Sequence, residues 1–143
     1  MIAVDTNILI YAHRADSPWH RQAERKLREL AEGGQRWAIP WPCLHEFLAI
    51  VTHPRVFQPP STLAQALAQV DAWTASPGFE ALAERQGYWA RLRETLAKTQ
   101  TVGPRVHDAR VFTLCAESGV RELWSADRDF NRFRGVRIVN PVV

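Results

Sequence analysis

The chain has 143 residues, of which 46% are hydrophobic and 23% charged, and its formal net charge is +3. This balance predicts a single globular domain over residues 1–143 and excludes a disordered or fibrous chain. The sequence has no run of about 18 apolar residues that could cross a membrane, and it lacks the basic start of a signal peptide. We therefore expect a cytoplasmic protein.

Arginine dominates the positive charge. Only Lys26 and Lys98 among the 18 basic residues are lysines, which leaves 16 arginines. Arginine binds phosphate groups in a two-pronged geometry that lysine cannot match. A GC-rich genome also enriches arginine, so the composition permits a nucleic-acid partner without demonstrating one.

The N-terminal region carries clear signals of secondary structure. Residues 2–4 predict a short buried strand, and the apolar spacing within residues 8–12 predicts a helix after an intervening turn. Ser17-Pro18 is typical of a helix N-cap followed by the first helical position, and Gly33-Gly34 is typical of the end of that helix. A strand, a helix and a turn signal thus follow one another in the order expected of an α/β fold.

The rest of the chain continues this alternation. A capping box formed by Thr62 and Gln65 marks the start of one helix. The remaining predicted elements are a strand at 37–39, helices at 41–52 and 62–75, a strand at 79–82, helices at 84–99 and about 105–118, and strands at 122–125 and 136–139. Strands that alternate with helices predict an α/β fold around a mostly parallel sheet.

The two cysteines, Cys43 and Cys115, both fall within apolar helical patterns. They have neither the CxxC spacing nor the nearby histidines of a zinc site. We interpret them as small buried hydrophobic residues.

Three aspartates follow predicted strands. Asp5 comes directly after strand 2–4, and Asp127 comes shortly after strand 122–125. Ligands of open parallel sheets bind at the carboxyl ends of the strands. Asp5 is equally well explained as a turn residue or helix N-cap. Within the pair Asp127 and Asp129, we expect Asp127 to be a ligand and Asp129 to cap the following turn.

Two further acids lie in apolar helical patterns. Glu46 sits in WPCLHEFLAIV, which predicts a helix that is apolar nearly all round and therefore buried. A buried carboxylate is costly unless it pairs with an arginine or binds a cation. Asp108 heads the apolar stripe of its own helix, whereas first-turn aspartates usually face solvent.

The four acids Asp5, Glu46, Asp108 and Asp127 are predicted to converge at one edge of the sheet. Convergent carboxylates repel one another unless a divalent cation lies among them. Oxygen ligands without sulfur or imidazole favour Mg²⁺ or Mn²⁺. Phospho-acceptor folds are a weaker interpretation. A haloacid-dehalogenase phosphatase needs a second Asp two residues after the first, but position 7 is Asn. A response-regulator receiver domain needs a Lys after a late strand, but both lysines lie in predicted helices.

Four segments in this order resemble the PIN-domain ribonucleases, and specifically the VapC toxins of toxin–antitoxin modules. They are VDTNILIYAHRADSPWHRQA, CLHEFLAIVTHPRVF, RVHDARVFTLCAESGV, and ELWSADRDFNRF followed by GVRIVNP. The resemblance runs nearly from end to end, and it implies a three-layer α/β/α sandwich. It carries the metal-binding acids of the family onto Asp5, Glu46, Asp108 and Asp127.

The resemblance also implies an activity and partners. The activity is metal-dependent hydrolysis of RNA, often of a tRNA or ribosomal RNA loop; the partners are a VapB-type antitoxin and a second copy in a homodimer. Thr6, Asn7 and Ser125 are expected to support the acids or contact substrate, and Asp129 is an auxiliary acid. We expect Arg128, Arg132 and Arg134 to contact phosphates. For His107 we favour a structural role.

A PIN domain can also bind RNA without cleaving it once its acids are lost. The sequence retains all four acids, which favours the nuclease over this alternative.

Overall fold

The computed structural model describes all of residues 1–143 and is built around one five-stranded sheet. Its strands are β1 (Ile2–Val4), β2 (Trp37–Pro40), β3 (Phe79–Leu82), β4 (Glu122–Trp124) and β5 (Arg137–Val139). They lie in the order β3-β2-β1-β4-β5, and every neighbouring pair is parallel. The predicted parallel sheet is confirmed, and all five strands lie where the sequence predicts them.

Six helices flank the sheet, which confirms the α/β/α architecture. They are α1 (Thr6–His13), α2 (His20–Glu32), α3 (Trp41–Val51), α4 (Leu63–Thr74), α5 (Tyr88–Thr99) and α6 (Val106–Glu117). Two short 3-10 helices, Gly103–Arg105 and Arg128–Arg132, precede α6 and follow β4. None of the helices is both long and apolar enough to pass through a bilayer.

One hydrophobic core of 30 buried residues joins the sheet to the helices. Ile8 and Leu9 of α1 are fully buried, and Cys43 and Cys115 are buried in the same core. The predicted burial of both cysteines is therefore confirmed.

The capping box at the start of α4 is confirmed. The Gln65 N–H donates to Thr62 Oγ1 at 3.1 Å, and the Thr62 N–H donates to Gln65 Oε1 at 2.9 Å. Two N–H groups that the helix itself leaves without partners are satisfied in this way.

Two predicted helix starts are wrong. Ser17 does not cap α2; it forms a turn in which its Oγ accepts the Trp19 N–H at 3.3 Å, so the helix begins at His20. α5 begins at Tyr88 rather than at residue 84. Gly87 has φ +87°, which no right-handed helix accommodates, so residues 84–86 before it cannot continue into α5.

The strand order places two acid-bearing turns side by side. β1 lies between β2 and β4, and Val4 pairs with Trp124, so Asp5 and Ser125 are the next residues at the same edge. The Asp5 N–H donates to Trp124 O at 2.9 Å and extends the ladder by one bond. After β1 the next strands are added on one side of the sheet, towards β2 and β3, whereas after β4 the chain continues to β5 on the other side. Ligands of open α/β sheets bind at such a reversal of strand order.

Candidate active site

Asp5 lies at the carboxyl end of β1 and is held from several sides. Its side chain is 8% exposed. Asp5 Oδ2 accepts hydrogen bonds from Ser125 Oγ at 2.8 Å and from Asn7 Nδ2 at 3.3 Å, and Asp5 Oδ1 accepts one from Cys43 Sγ at 3.4 Å. Although Asp5 occupies the N-cap position of α1, its side chain makes no capping bond. The alternative interpretation is therefore right about the position of Asp5, but its side chain does not cap the helix.

Burial has an electrostatic consequence for Asp5. Loss of hydration raises the pKa of its carboxyl above the ordinary value, and the negative charge of Glu46 adds to this rise. The hydrogen bond from Ser125 opposes it. No arginine or lysine pairs with Asp5 to compensate for its burial.

Asn7 and Ser125 link Asp5 to the turn after β4. Asn7 Oδ1 accepts the Ala126 N–H at 3.1 Å, while Asn7 Nδ2 reaches both Asp5 and Ser125 Oγ. Ser125 Oγ also accepts the Asp127 N–H at 3.0 Å. These two side chains thus fix the distance between the β1 and β4 turns.

Asp127 and Asp129 meet Asp108 in a compact cluster. Oxygen atoms of the three carboxylates lie within 4.8 Å of one another. Burial, and then the negative charge of Asp127, raises the pKa of Asp108 to about 6. Asp5, Asp129 and Glu46 contribute further repulsion. Asp108 therefore lies at the point where the negative charge is most concentrated.

The roles expected within the pair Asp127 and Asp129 need correction. Asp127 Oδ1 accepts the Asp129 N–H at 2.8 Å and caps the 3-10 helix that follows. Asp129 makes no cap; it lies in the acidic cluster, 3.5 Å from Arg105. A residue that precedes a turn can accept the N–H two positions onward, and this geometry favours Asp127 over Asp129.

A cavity of about 190 Å³ joins Asp108 to Asp5 and Glu46. Glu46 reaches it from an exposed face of α3, so the prediction that this helix is buried all round is wrong. α3 buries only the face of Cys43, Leu44, Phe47 and Val51. Its small apolar residue Ala49 tolerates exposure, as does Trp41, which is 43% exposed.

Glu46 has no salt bridge, which removes its alternative explanation as the partner of an arginine. The arginine that lines the same cavity, Arg110, pairs with Glu84 at 3.1 Å. Asp108 lines this cavity together with Asp5 and Glu46, and it also lies in the cluster with Asp127. All four predicted acids therefore border one continuous region.

Several residues around the cavity were not predicted. His45 and Arg110 line it, and Thr6, which was expected to support the acids or contact substrate, lines it as well. His107 also lines the cavity and is exposed. Arg105 and Arg110 could have been found from the sequence, because they flank Asp108 within one helical turn. Arg132 and Arg134 instead line a separate cleft, and Arg128 is exposed.

Comparison with known proteins identifies the family. The PIN-domain family matches residues 2–136, which is nearly the whole chain. The chain belongs to the PIN-domain family. Among curated PIN-domain relatives, Ribonuclease VapC43 of Mycobacterium tuberculosis is 34% identical over 142 residues, covering 99% of this chain and 96% of the relative. Ribonuclease VapC25 of the same organism is 30% identical over 143 residues and is covered completely. The predicted resemblance to the VapC ribonucleases is confirmed.

Solved PIN-domain structures share the fold. The sarcin-ricin loop cleaving toxin VapC20 of Mycobacterium tuberculosis matches with a TM-score of 0.67 at 19% identity, covering 96% of this chain and 99% of that one. VapBC2 of Rickettsia felis, solved with a fragment of promoter DNA, matches with a TM-score of 0.68 at 19% identity, covering 97% and 98%. At this identity, the likeness supports the architecture alone.

Proposed function

We propose that this PIN-domain protein is a metal-dependent endoribonuclease and the toxin of a toxin–antitoxin pair. The observation that carries the proposal is the acidic cluster: carboxylate oxygens of Asp108, Asp127 and Asp129 lie within 4.8 Å of one another, at the cavity that Asp5 and Glu46 also line. The curated relatives are named as ribonucleases, which supports RNA as the substrate.

The donors fit a hard divalent cation. All are carboxylate oxygens, which Mg²⁺ and Mn²⁺ prefer. Burial, and then repulsion from the neighbouring carboxylates, raises the pKa of Asp108 to about 6, and a bound cation would favour the ionised form. Asp108, Asp127 and Asp129 of the cluster, together with Asp5 and Glu46 from the cavity, would hold the cation. When bound, it would supply Lewis-acid stabilisation of the phosphate and an activated water for hydrolysis.

The protein's own side chains would orient the substrate and the acids. Ser125 and Asn7 hold Asp5, and the Asp127 cap fixes the turn that bears Asp129. Arg110 and His45 line the cavity, where they can donate hydrogen bonds to a phosphate. A single-stranded loop of tRNA or ribosomal RNA fits such an open site, because its phosphates and bases are accessible.

The proposal extends to partners. Structural neighbours are VapBC complexes, which supports a VapB-type antitoxin as the partner of this chain. We also propose a homodimer and a cytoplasmic location, as in the family that the sequence resembles. Co-expression with the protein encoded by a small adjacent reading frame should yield a stable complex, and toxicity without rescue by that protein would contradict the pairing.

Cleavage and RNA binding distinguish the nuclease from a PIN domain that only binds RNA. Wild-type protein should cleave total tRNA or ribosomal RNA with Mg²⁺ or Mn²⁺ and should stop when EDTA is added. Asp5→Asn should abolish cleavage while it preserves binding. Equal cleavage by wild type and Asp5→Asn would point to a contaminating nuclease, and binding without cleavage by wild type would support the binding module.

A further inference from the structure

A second and larger cleft is lined in part by α6, the helix that bears Asp108. It encloses about 790 Å³ between α5, α6 and the segment that follows the 3-10 helix Arg128–Arg132. We call it the α5 cleft and define it by its basic residues, Arg91, Lys98, Arg132 and Arg134. The proposed catalytic cavity shares no lining residue with it.

The α5 cleft is strongly cationic. Its four basic side chains face a single acid, Glu94, which pairs with Lys98 at 3.6 Å across an exposed surface. Arg91, Arg132 and Arg134 form no salt bridge. An exposed pair such as Glu94 and Lys98 contributes little, so the cleft keeps a net positive charge that suits an anionic ligand.

The walls of the cleft are well defined. Arg91, Glu94 and Lys98 recur at helical spacing, so they lie on one face of α5. Arg132 and Arg134 form the opposite wall. The floor contains Phe112 and Phe133, whose rings stack with centroids 5.0 Å apart and which are 6% and 4% exposed. These rings are too buried to stack on a base, which leaves the charged walls as the binding groups.

The cleft is continuous with the acids along the chain. Phe112 lies one turn after Asp108 on α6, a rise of about 6 Å. Arg132 ends the 3-10 helix that begins immediately after Asp127. The two elements that carry Asp108 and Asp127 therefore also contribute residues to the α5 cleft.

Binding at the acidic cluster alone would be weak for a polyanion. Without a cation the carboxylates repel phosphate, and the arginines that flank Asp108 are also held by acids, Arg105 by Asp129 and Arg110 by Glu84, which weakens their attraction for phosphate. Unpaired cations would add attraction, and the α5 cleft contains three of them, Arg91, Arg132 and Arg134. Four cations on two walls suit a chain of several phosphates better than a single anion.

We propose that the α5 cleft binds the sugar-phosphate backbone of single-stranded RNA beside the phosphate to be cleaved. The inference rests on the proposed function, because it takes RNA as the ligand of the neighbouring acids. It assigns the α5 face to substrate binding and places the predicted phosphate contacts of Arg132 and Arg134 in this cleft.

The test measures RNA binding without cleavage. A fluorescein-labelled single-stranded RNA of mixed sequence, about 12 nucleotides long and within the usual site size, is titrated with full-length protein in EDTA at several salt concentrations. Each phosphate contact in single-stranded RNA contributes about 0.7 to the logarithmic salt slope. Arg91→Ala/Lys98→Ala should weaken binding at least about tenfold at low salt and reduce the slope by about 1.4.

The matched control removes two exposed arginines outside the cleft. Arg93 lies on α5 but does not line the cleft, and Arg25 lies on α2. Arg93→Ala/Arg25→Ala should leave the affinity and the slope near those of wild type. Glu94→Gln, which removes the only acid, should tighten binding, an effect that misfolding cannot produce.

The possible outcomes separate this inference from the proposed function. Equal losses in the cleft variant and the control variant would overturn the cleft, even if wild type cleaves RNA. The same titration is repeated with a labelled acidic peptide. If the cleft variant binds RNA like wild type but loses affinity for this peptide, the inference is overturned in favour of a protein partner. Loss of RNA binding confined to the cleft variant supports the cleft even if no cleavage is found, in which case only the nuclease proposal fails.

Discussion

Asp5 and Glu46 border the same cavity but are held in opposite ways. Asp5 is 8% exposed and accepts hydrogen bonds from Ser125, Asn7 and Cys43. Glu46 stands on an exposed face of α3 and makes no salt bridge. The sheet edge thus provides an acid that is buried and held by hydrogen bonds, whereas α3 provides an acid that is exposed and held by no salt bridge.

This difference separates the two contributions that a carboxylate makes. A buried acid that is fixed before ligand arrives reduces the reorganisation needed at the site, but its ionised form destabilises the metal-free fold. An exposed acid can still contribute to cation binding, and because its carboxylate stays hydrated, its charge destabilises the metal-free fold less. Activity and stability should therefore respond differently on the two sides of the cavity.

The largest expected effect comes from neutralising either acid. Asp5→Asn and Glu46→Gln should each reduce RNA cleavage by at least about 100-fold, because loss of one ligand removes several kcal/mol of stabilisation. Without metal, Asp5→Asn should melt above wild type, since its raised pKa marks a destabilising charge. Glu46→Gln should melt like wild type. Matching shifts in melting temperature for the two variants would refute the contrast.

A second pair of variants separates charge from capping at Asp127. Asp127→Asn keeps an oxygen that can accept the Asp129 N–H, whereas Asp127→Ala removes it. Both should lose cleavage by orders of magnitude. Only Asp127→Ala should lose about 1 kcal/mol of stability, a shift of about 2–4 °C in melting temperature. Equal melting of the two variants would show that the cap contributes nothing.

The third prediction concerns the donor that fixes Asp5. Ser125→Ala removes a hydrogen bond to Asp5 and an acceptor for the Asp127 N–H, so it should cost about 1–3 kcal/mol of stability. Cleavage should fall about tenfold as the acid loses its position. Ser125→Thr, which retains the hydroxyl, is the matched control. A stable and fully active Ser125→Ala would mean that Asp5 needs no such support.

The smallest effect is the pH dependence of metal-free stability. The pKa of Asp108 in the folded protein is about 6, above the ordinary value of 3.8, so the folded state holds the proton more tightly than the unfolded state. Its contribution should make the fold more stable as pH falls from about 7 to about 4. In EDTA, the melting temperature of wild type should rise more on acidification than the melting temperature of Asp108→Asn. Parallel curves would contradict the raised pKa.

The sequence sufficed for the strands and for the meeting of the acids. All five strands are apolar segments in a regular alternation with helices, and Asp5 and Asp127 follow two of them. Carboxyl ends of parallel strands share one edge, so their proximity followed from local pattern alone. The resemblance to the PIN domain placed Glu46 and Asp108 beside them.

The features that the sequence did not predict correctly are those that depend on how the helices and turns pack in the folded protein. Exposure of Glu46 depends on which face of α3 meets the core, and an apolar helix of 11 residues does not reveal this. The cap made by Asp127 depends on the path of the turn after β4. The α5 cleft exists only because α5 packs beside α6 and the segment of residues 132–135, and these residues are too far apart in sequence for any local pattern to join them.

The central claim is that the acidic cluster binds a divalent cation, and direct titration with Mn²⁺ tests it. Binding measured by electron paramagnetic resonance should be near-stoichiometric for wild type and should be lost in Asp108→Asn. Glu84→Gln should bind like wild type, because Glu84 pairs with Arg110 and lies outside the cluster. Equal Mn²⁺ binding by wild type and Asp108→Asn would contradict the claim.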